Sequence, residues 1–536
     1  MKLVCLNIVK ADTCGGLLDG LFVPFRESSV DTNTFDPMCL IGPNGSGKSQ
    51  LLQIIAEIFQ AAFHKFSPTE ELGIPNEAIE FEMEYLLASQ IENSAPFHIK
   101  LSRIPQTKRR PEIKAYINIY GCWHLIEDID IVQSLLPSKI IGYTSGANET
   151  LSLPFFSSRA GYANKVTKNA LDVAKRSESI KDPRLLLVDY STNLEVLVAN
   201  LLLSPPPVIK SLLAEPQLES LRSFRCVVQL NHTAAPNNGG VKLTEELEGY
   251  VQYLKYCSTC YDFDEKQNAY IFDFLVTPAS RSAFSNYWPE GALELYSCFH
   301  KLAMLNDLII PKRARELFDK SVKNRRFASR LPEPFEEHKV FRFERVEFIS
   351  KKSQSAVEYA SLSDGEHQLA QLLGTACMAS FPNVLFLLDE PESHFNPQWR
   401  VEFISKFLKL PVNSLNDDRS KAVDVAKQEC LITTHSPFVP SDMSSDNVVI
   451  FERDSTGLAV NIRRPRIETY GSTFDAILED CFSVNPPMSE LPRQEIKDLL
   501  NSDSADDIRK AMNRLGDSVD KLYLADRIRK LDSESK

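Results

Sequence analysis

The sequence lacks the features that mark membrane, secreted and disulfide-stabilised proteins. No uninterrupted apolar run reaches the roughly 20 residues that a bilayer-spanning helix needs, and the first residues lack the apolar core of a signal peptide. The 11 cysteines among 536 residues are an odd number, and they are spread singly rather than in a disulfide framework. These absences predict a cytoplasmic protein with free thiols and no membrane contact.

The sequence also has no excess of positive charge. A net charge of −12 argues against a protein that coats nucleic acid over its whole surface. The basic run Lys312–Arg330 leaves a local nucleic-acid contact open, although such a run is more often one solvated helix face. A smaller basic run, Lys108–Arg110, lies in a predicted hairpin loop.

One cysteine pair has the spacing of a zinc site. Cys257 and Cys260 form a CxxC pair, and Cys298 with His300 could complete four zinc ligands. Cys298 and His300 lie, however, in an apolar run with helical spacing. Packing in a core is therefore the favoured interpretation.

Hydrophobic periodicity changes along the chain. Met38–Ile41 reads as a buried strand, and after a glycine-rich turn the residues from Leu51 to Phe66 show apolar positions at helical spacing. Three segments of alternating apolar and polar residues follow and predict an antiparallel meander. We therefore predict four segments: 1–150 with strands and the glycine-rich turn, 151–335 as a helical insertion, 336–485 with alternating strands and helices, and 486–536 as a short helical tail.

The glycine-rich turn, GPNGSGKS at 42–49, fits the pattern GxxxxGK[ST] between a strand and a helix. In such a loop the glycines let backbone N–H groups turn towards phosphate oxygens, and the helix directs its positive end at them. Lys48 would reach the outer phosphates and Ser49 would bind magnesium. The sequence therefore predicts an ATP and Mg²⁺ site formed by Gly42, Pro43, Asn44, Gly45, Ser46, Gly47, Lys48 and Ser49.

A second segment ends in paired carboxylates. The apolar run Val384–Leu388 leads into Asp389 and Glu390, as expected of a buried central strand that delivers acids at its tip. Asp389 is predicted to hold magnesium through water. Glu390 is predicted to orient and deprotonate the attacking water.

The segment SLSDGEHQ at 361–368 resembles the LSGGQ signature of the ABC-type ATPases, in the soluble branch with the SMC, Rad50 and RecF-like proteins. From the residues alone, it is a helix N-cap that offers a hydroxyl, an N–H group and a helix dipole to an anion. In this family the signature of one subunit covers the γ-phosphate on the P-loop of the other. The resemblance therefore implies a nucleotide-sandwiched dimer, with these residues at the shared nucleotide: Ser363, Asp364, Gly365 and Glu366.

Two further segments occupy family positions. Ser393–Pro397 resembles the D-loop, a cross-dimer contact, and His435 resembles the switch histidine that hydrogen-bonds the γ-phosphate. Two positions depart from the family pattern. Thr144 and Ser145 stand where a glutamine ligand of magnesium is usual, and Asp364 replaces a glycine of the signature. The interval between the P-loop and the signature is much longer than in transporter subunits, which argues against transport.

Within this branch the chain most resembles the PtuA-type phage-defence ATPases of Septu and retron systems. The segments that carry this resemblance are Ile140–Glu149, Leu362–Glu366, Asp389–His394 and Leu515–Ser518. The resemblance implies an α/β fold: an ABC-type head, with a P-loop mixed sheet and an antiparallel β subdomain, a large helical insertion and a short helical C-terminal region. It implies a homodimer or higher oligomer, an HNH nuclease partner similar to PtuB and, in retron systems, a reverse transcriptase with its DNA.

Two other classes stay open. A RecF-like or Rad50-like DNA-repair clamp would bind DNA directly and with strong salt dependence. An OLD-like enzyme would carry its own nuclease, yet no paired acidic motif that could hold catalytic metals follows the predicted strand Asn447–Ile450.

Overall fold

The computed structural model describes residues 1–11, 13–30, 35–89, 95–105, 111–145, 149–175, 177–188, 193–231, 241–323, 335–409, 428–454, 456–457, 459–485 and 487–534. Within these ranges the strands form three sheets. None of the helices in the same ranges combines the length and the apolar character that crossing a membrane requires.

The strands, in chain order, are β1 (Lys2–Lys10), β2 (Phe22–Pro24), β3 (Met38–Ile41), β4 (Glu80–Leu87), β5 (Phe97–Arg103), β6 (Lys114–Ile119), β7 (Cys122–Leu125), β8 (Lys139–Thr144), β9 (Leu185–Val188), β10 (Leu218–Gln229), β11 (Cys260–Asp264), β12 (Ala269–Leu275), β13 (Phe341–Ser350), β14 (Ala356–Glu358), β15 (Val384–Asp389), β16 (Glu429–Thr433), β17 (Val448–Arg453) and β18 (Val460–Arg463).

The α-helices of the described residues are α1 (Lys48–Phe66), α2 (Ile129–Ser134), α3 (Glu149–Leu171), α4 (Asn193–Leu203), α5 (Pro206–Ala214), α6 (Glu245–Cys257), α7 (Pro278–Tyr287), α8 (Ala292–Met304), α9 (Lys312–Lys323), α10 (Asp364–Met378), α11 (Pro397–Leu408), α12 (Phe438–Ser441), α13 (Phe474–Phe482), α14 (Glu490–Leu500), α15 (Ala505–Met512) and α16 (Val519–Glu534).

The central sheet has the strand order β18-β17-β3-β16-β15-β8-β9 and is parallel except for β18. Its middle strands β3, β15 and β16 are buried along their whole length, as strands covered on both faces must be. The register places Asp389 opposite both Thr433 and Thr144, and Thr433 opposite Leu40. The carboxyl ends of four neighbouring strands therefore meet at one edge.

Two apolar cores lie on the two faces of this sheet. Alternate residues of β3 belong to different cores, Met38 and Leu40 to one and Cys39 and Ile41 to the other, as the period of two along a strand requires. The first core contains α1 and the inner face of the six-stranded antiparallel sheet β2-β1-β4-β5-β6-β7. The predicted meander is found there as β4, β5 and β6.

A buried ion pair joins the six-stranded sheet to the central sheet. Glu429, at the start of β16, accepts hydrogen bonds from Arg26 Nη2 at 2.9 Å and from the backbone N of Leu3 at 3.0 Å. Both charged side chains are almost fully buried. Removal of one partner of such a pair would leave the other charge uncompensated.

The segment 151–335, predicted as a helical insertion, contains most of α3, the helices α4 to α9 and also strands. This segment contains β9, which extends the central sheet, and β10, β11 and β12, which form a five-stranded antiparallel sheet with β13 and β14. The predicted helical stretch 184–203 divides into β9 and α4. A run of four apolar residues, such as β9, fits a buried strand and a buried helix equally well by periodicity.

The C-terminal tail contains α14, α15 and α16. Their apolar residues form a small cluster of their own, centred on Ile496, Ile508 and Leu524. This cluster is distinct from the two large cores.

Candidate nucleotide-binding site

The loop 42–49 follows β3 and leads directly into α1. Gly42, Gly45 and Gly47 have positive φ angles of 148°, 72° and 95°, a backbone conformation that residues other than glycine rarely adopt. A Cβ on Gly42 would collide with the backbone oxygen of Phe451, and one on Gly47 would lie 2.7 Å from Leu18 Cδ2. The loop therefore requires glycine for its conformation and for the space around it.

Polar groups converge inside this loop. Lys48, the first residue of α1, donates from Nζ to the carbonyl oxygens of Gly42 at 2.9 Å and Pro43 at 3.2 Å. Burial lowers the pKa of Lys48, and the charges of Glu390 and Asp389 oppose that effect. The Ser46 hydroxyl is buried without a hydrogen-bond partner among the described residues. The cradle of donors at a helix N-terminus fits a phosphate group.

Asp389 connects the tip of β15 to this loop. Its side chain is only 3% exposed, and Oδ1 accepts hydrogen bonds from Ser49 Oγ at 2.8 Å and Thr433 Oγ1 at 2.6 Å. Burial raises its pKa, although the two hydroxyls oppose this shift. Hydroxyl and carboxylate oxygens are ligands that Mg²⁺ prefers, so Ser49 and Asp389 fit a magnesium ion beside the loop.

Glu390 differs sharply from Asp389. Its side chain is 43% exposed, and Oε1 lies 3.3 Å from His435 Nε2. The hydrogen bond to His435 lowers the pKa of Glu390, so the carboxylate is charged and can accept a proton. Its φ of 47° is uncommon for a residue with a side chain and often marks a functional position. Thr433 supports this backbone, since the N–H of Glu390 donates to its carbonyl and hydroxyl oxygens.

The signature segment forms the N-terminus of α10. Ser363 is the N-cap, and its backbone N and Oγ both donate to Glu366 Oε2 at 2.7 Å. A Cβ on Gly365 would lie 3.1 Å from the backbone oxygen of His394. Among the described residues, no hydrogen bond or ion pair joins 363–366 to the loop 42–49. Ser363 and Asp364 are instead exposed.

The segment that stands in place of the glutamine loop contacts a glutamine from another element, Gln368. Thr144 is the buried last residue of β8, and the carbonyl oxygen of Ser145 accepts a hydrogen bond from Gln368 Nε2 at 2.9 Å. Gln368 lies on α10, five residues after Ser363. The residues that follow Ser145, 146–148, lie outside the described part of the chain.

Sequence reasoning missed several residues of this site. Thr433, Thr434, Glu392 and Gln368 were given no role, although the first three lie within three residues of Asp389 or His435. The available signal was weak: two adjacent threonines between a buried strand and a histidine. Hydroxyls at a strand tip could have been identified as partners for the carboxylates of the neighbouring strand.

Comparison with protein families adds one match. The family model described as "AAA domain, putative AbiEii toxin, Type IV TA system" matches residues 294–442, about a quarter of the chain. The matched segment includes Ser363, Asp389, Glu390 and His435, whereas the loop 42–49 lies outside it. These findings support a P-loop ATPase of the ABC/AAA type. Such an ATPase domain binds a nucleotide together with a divalent metal. No curated protein matches this chain.

The other sites suggested by the sequence lie elsewhere in the chain. The basic run Lys312–Arg330 begins as α9, and its part from 324 onwards lies outside the described residues. The run Lys108–Arg110 also lies outside them. Cys257 and Cys298 are buried and Cys260 is exposed. No group of three or more His, Cys, Asp or Glu residues within the described ranges could hold a metal ion.

Proposed function

We propose that this protein is an ABC-type ATPase that hydrolyses ATP to ADP and phosphate, with Glu390 as the general base. The observation that carries the proposal is the contrast between adjacent carboxyl groups. Asp389 is buried and hydrogen-bonded to Ser49 of the loop 42–49, which we call the phosphate loop. Glu390 is half-exposed and is kept charged by His435. A charged, accessible carboxylate beside the phosphate loop suits the removal of a proton from water.

The remaining roles follow from the same geometry. Lys48 and the backbone N–H groups of 42–49 would bind the phosphates, and Ser49 with Asp389 would hold Mg²⁺, which supplies charge neutralisation when bound. His435 would contact the γ-phosphate. Ser363 and Asp364 are exposed, and among the described residues no hydrogen bond or ion pair joins 363–366 to the loop 42–49. Residues 363–366 would therefore reach the nucleotide of a second copy of the chain. We therefore propose a homodimer or higher oligomer that closes around ATP.

We further propose that nucleotide state controls an HNH nuclease partner in anti-phage defence, with or without a reverse transcriptase and its DNA. The support for this step is the resemblance to PtuA-type ATPases at the sequence segments given above. Direct nucleic-acid contact would involve Lys312–Arg330.

The chemical proposal is tested with Glu390→Gln. The amide keeps the size of the side chain but cannot take a proton, so hydrolysis should fall by about 10²- to 10⁴-fold, while ATP binding is retained. Multi-angle light scattering with ATP and Mg²⁺ should then show a long-lived dimer. Lys48→Ala is the control that should lose nucleotide binding and the dimer together. Near-normal hydrolysis by Glu390→Gln would remove Glu390 from its role.

The biological proposal needs a second experiment. The Glu390→Gln chain is expressed with its native neighbouring genes, purified with ATP and Mg²⁺, and every co-purifying protein and nucleic acid is identified. Recovery of an HNH nuclease would support the defence function. A lone dimer that binds plain duplex DNA with steep salt dependence would favour a repair clamp.

A further inference from the structure

Three consecutive residues at the end of β16, Thr433, Thr434 and His435, contact the carboxyl groups of three residues at the end of β15, Asp389, Glu392 and Glu390. We name this arrangement the carboxyl clasp. Its bonds are Thr433 Oγ1 to Asp389 Oδ1 at 2.6 Å, the Thr434 hydroxyl to Glu392 Oε1, and His435 Nε2 to Glu390 Oε1 at 3.3 Å. The proposed mechanism uses Asp389 and Glu390, and it leaves Glu392 without a role.

Glu392 is as deeply buried as Asp389. Its side chain is 3% exposed, and its second oxygen, Oε2, is buried without a hydrogen-bond partner among the described residues. A charged carboxylate there would be costly. Burial raises the pKa of Glu392 to about 7; the Thr434 hydroxyl and the charge of Arg400 oppose that shift, whereas the charge of Glu390 adds to it.

Two neutral groups from the central sheet complete these surroundings. The thiol of Cys39 on β3 and the hydroxyl of Tyr143 on β8 are both buried. Burial and, to a smaller extent, the charge of Glu392 raise the pKa of each group. Arg400 of α11 supplies a positive charge that acts on Glu392. A neutral carboxyl that accepts from Thr434 suits this environment.

Thr434 fixes the turn that carries His435. Its backbone N donates to the carbonyl oxygen of Leu40 on β3 at 3.2 Å, and its hydroxyl oxygen accepts from the backbone N of Ser436 at 2.9 Å. The hydroxyl can donate only one hydrogen bond, and that bond goes to Glu392. The orientation of the turn therefore depends on the Glu392 carboxyl.

Glu392 also belongs to the segment that leads towards the predicted cross-dimer contact at 393–397. The backbone N of Ser393 donates to the carbonyl oxygen of Glu390 at 3.2 Å, and that of Phe395 donates to the carbonyl oxygen of Glu392 at 3.0 Å. The bond between Glu392 and Thr434 thus joins this segment to the turn with His435.

We propose that Glu392 is a positioning residue for ATP hydrolysis, which acts through Thr434 to hold His435 against Glu390. This inference rests on the proposed ATPase function. Glu392 acts through a second side chain rather than on the nucleotide, so its loss lowers kcat and leaves the KM for ATP nearly unchanged.

The test compares Glu392→Ala, Glu392→Gln, Thr434→Val and Thr434→Ser in the full chain at pH 7. Glu392→Ala and Thr434→Val should lower kcat by about 10-fold or more, the usual size for residues that orient a catalytic group. Their KM and their binding of a fluorescent ATP analogue should change by less than about threefold. Glu392→Gln and Thr434→Ser keep an acceptor and a donor, respectively, and should retain kcat within about twofold.

A pH profile separates positioning from a merely structural effect. Ionisation of Glu392 above pH 7 introduces a negative charge beside Glu390, so kcat of the wild type should decline there, and Glu392→Gln should not share that decline. The matched control is Glu71→Ala, because Glu71 is another buried carboxyl with a pKa of about 7 but bonds to Ser158 and Gly73. This variant should lose thermal stability with little change in kcat.

Several outcomes would overturn the inference. If Thr434→Val and Glu392→Ala both hydrolyse ATP at the wild-type rate while Glu390→Gln does not, the ATPase function stands and the role of Glu392 fails. If Glu390→Gln is itself active, the assignment of Glu390 as the general base fails independently. Should Glu392→Ala not fold, Thr434→Val, which removes one hydroxyl and keeps the shape, decides the question.

Discussion

At the scale of single residues, the site assigns different environments to carboxyl groups that are close in sequence. Asp389 and Glu392 are buried and their pKa values are raised, whereas Glu390 is half-exposed and His435 lowers its pKa. Environments that separate pKa values in this way assign acids and bases to different tasks. Burial of Asp389 and the His435 contact of Glu390 therefore distinguish the metal-binding candidate from the candidate base one residue later.

Glu71 offers a residue-scale test of burial without catalysis. Burial raises its pKa to about 7, well above the value of about 4.3 in an unfolded chain. The folded protein therefore keeps a proton that the unfolded chain releases. The resulting stability is fully present below about pH 4 and is lost as the pH rises through about 7.

We accordingly expect the melting temperature to fall between about pH 5 and pH 7. Glu71→Gln, which does not titrate, should reduce that fall by about 2 °C or more, as measured by differential scanning calorimetry. The same change at the exposed Glu358 should leave the pH dependence unaltered. An identical fall in wild type and Glu71→Gln would contradict a raised pKa at this position.

At the scale of elements, the start of α10 combines a structural and a functional role. Ser363 and Glu366 form a capping box, which satisfies backbone N–H groups at the helix start. The same exposed helix end is the part of the signature predicted to meet the phosphate of a second copy. Substitutions at Ser363 can separate the two roles, because aspartate caps a helix about as well as serine.

We expect Ser363→Asp to keep the stability of the chain and to lose ATP-dependent dimerisation, because it places a negative charge where an anion should bind. Ser363→Ala should cost about 1 kcal/mol of stability through the lost cap. Chemical denaturation and light scattering with ATP measure the two effects. Ser504→Asp, at the N-cap of α15, is the control and should dimerise normally. ATP-dependent dimers of Ser363→Asp would place the signature outside the interface.

At the scale of the whole molecule, the C-terminal helices pack on one another. The cluster around Ile496, Ile508 and Leu524 is distinct from both large cores, whereas α13 contributes Ile477 and Cys481 to one of them. Units with few shared contacts open independently. The tail and α13 should therefore respond differently to truncation.

Removal of 486–536 should leave the melting temperature of the main transition within about 4 °C and ATP hydrolysis within about twofold. Removal of 464–536 should prevent folding, because it also takes α13 and the Arg464 guanidinium, which donates to Val448 O on β17 at 3.0 Å. Thermal unfolding and ATPase assays of both truncations provide the comparison. Unfolding of the shorter truncation would show that the tail is part of the main cooperative unit.

Local patterns in the sequence predicted much of the site. The phosphate loop lies between a strand and a helix because its glycines and its flanking apolar residues encode that turn directly. Asp389 and Glu390 follow a continuous apolar run, which indicates a buried strand without knowledge of its neighbours. Ser363 was assigned to a helix start because an N-cap is recognised from a few adjacent residues.

Other features depend on which elements pack together. The order β17-β3-β16-β15-β8 lays the strand tips side by side, so that Thr433 lies opposite Asp389, and no local pattern specifies that pairing. β9 was predicted as part of a helical stretch because a short apolar run carries no distinguishing period. Sequence alone thus identified the phosphate loop and the Asp389–Glu390 pair, since each is encoded by its neighbours along the chain. Only the tertiary structure decided that Thr433, Thr434 and His435 hold Asp389, Glu392 and Glu390, because hydrogen bonds between distant segments depend on strand order and register.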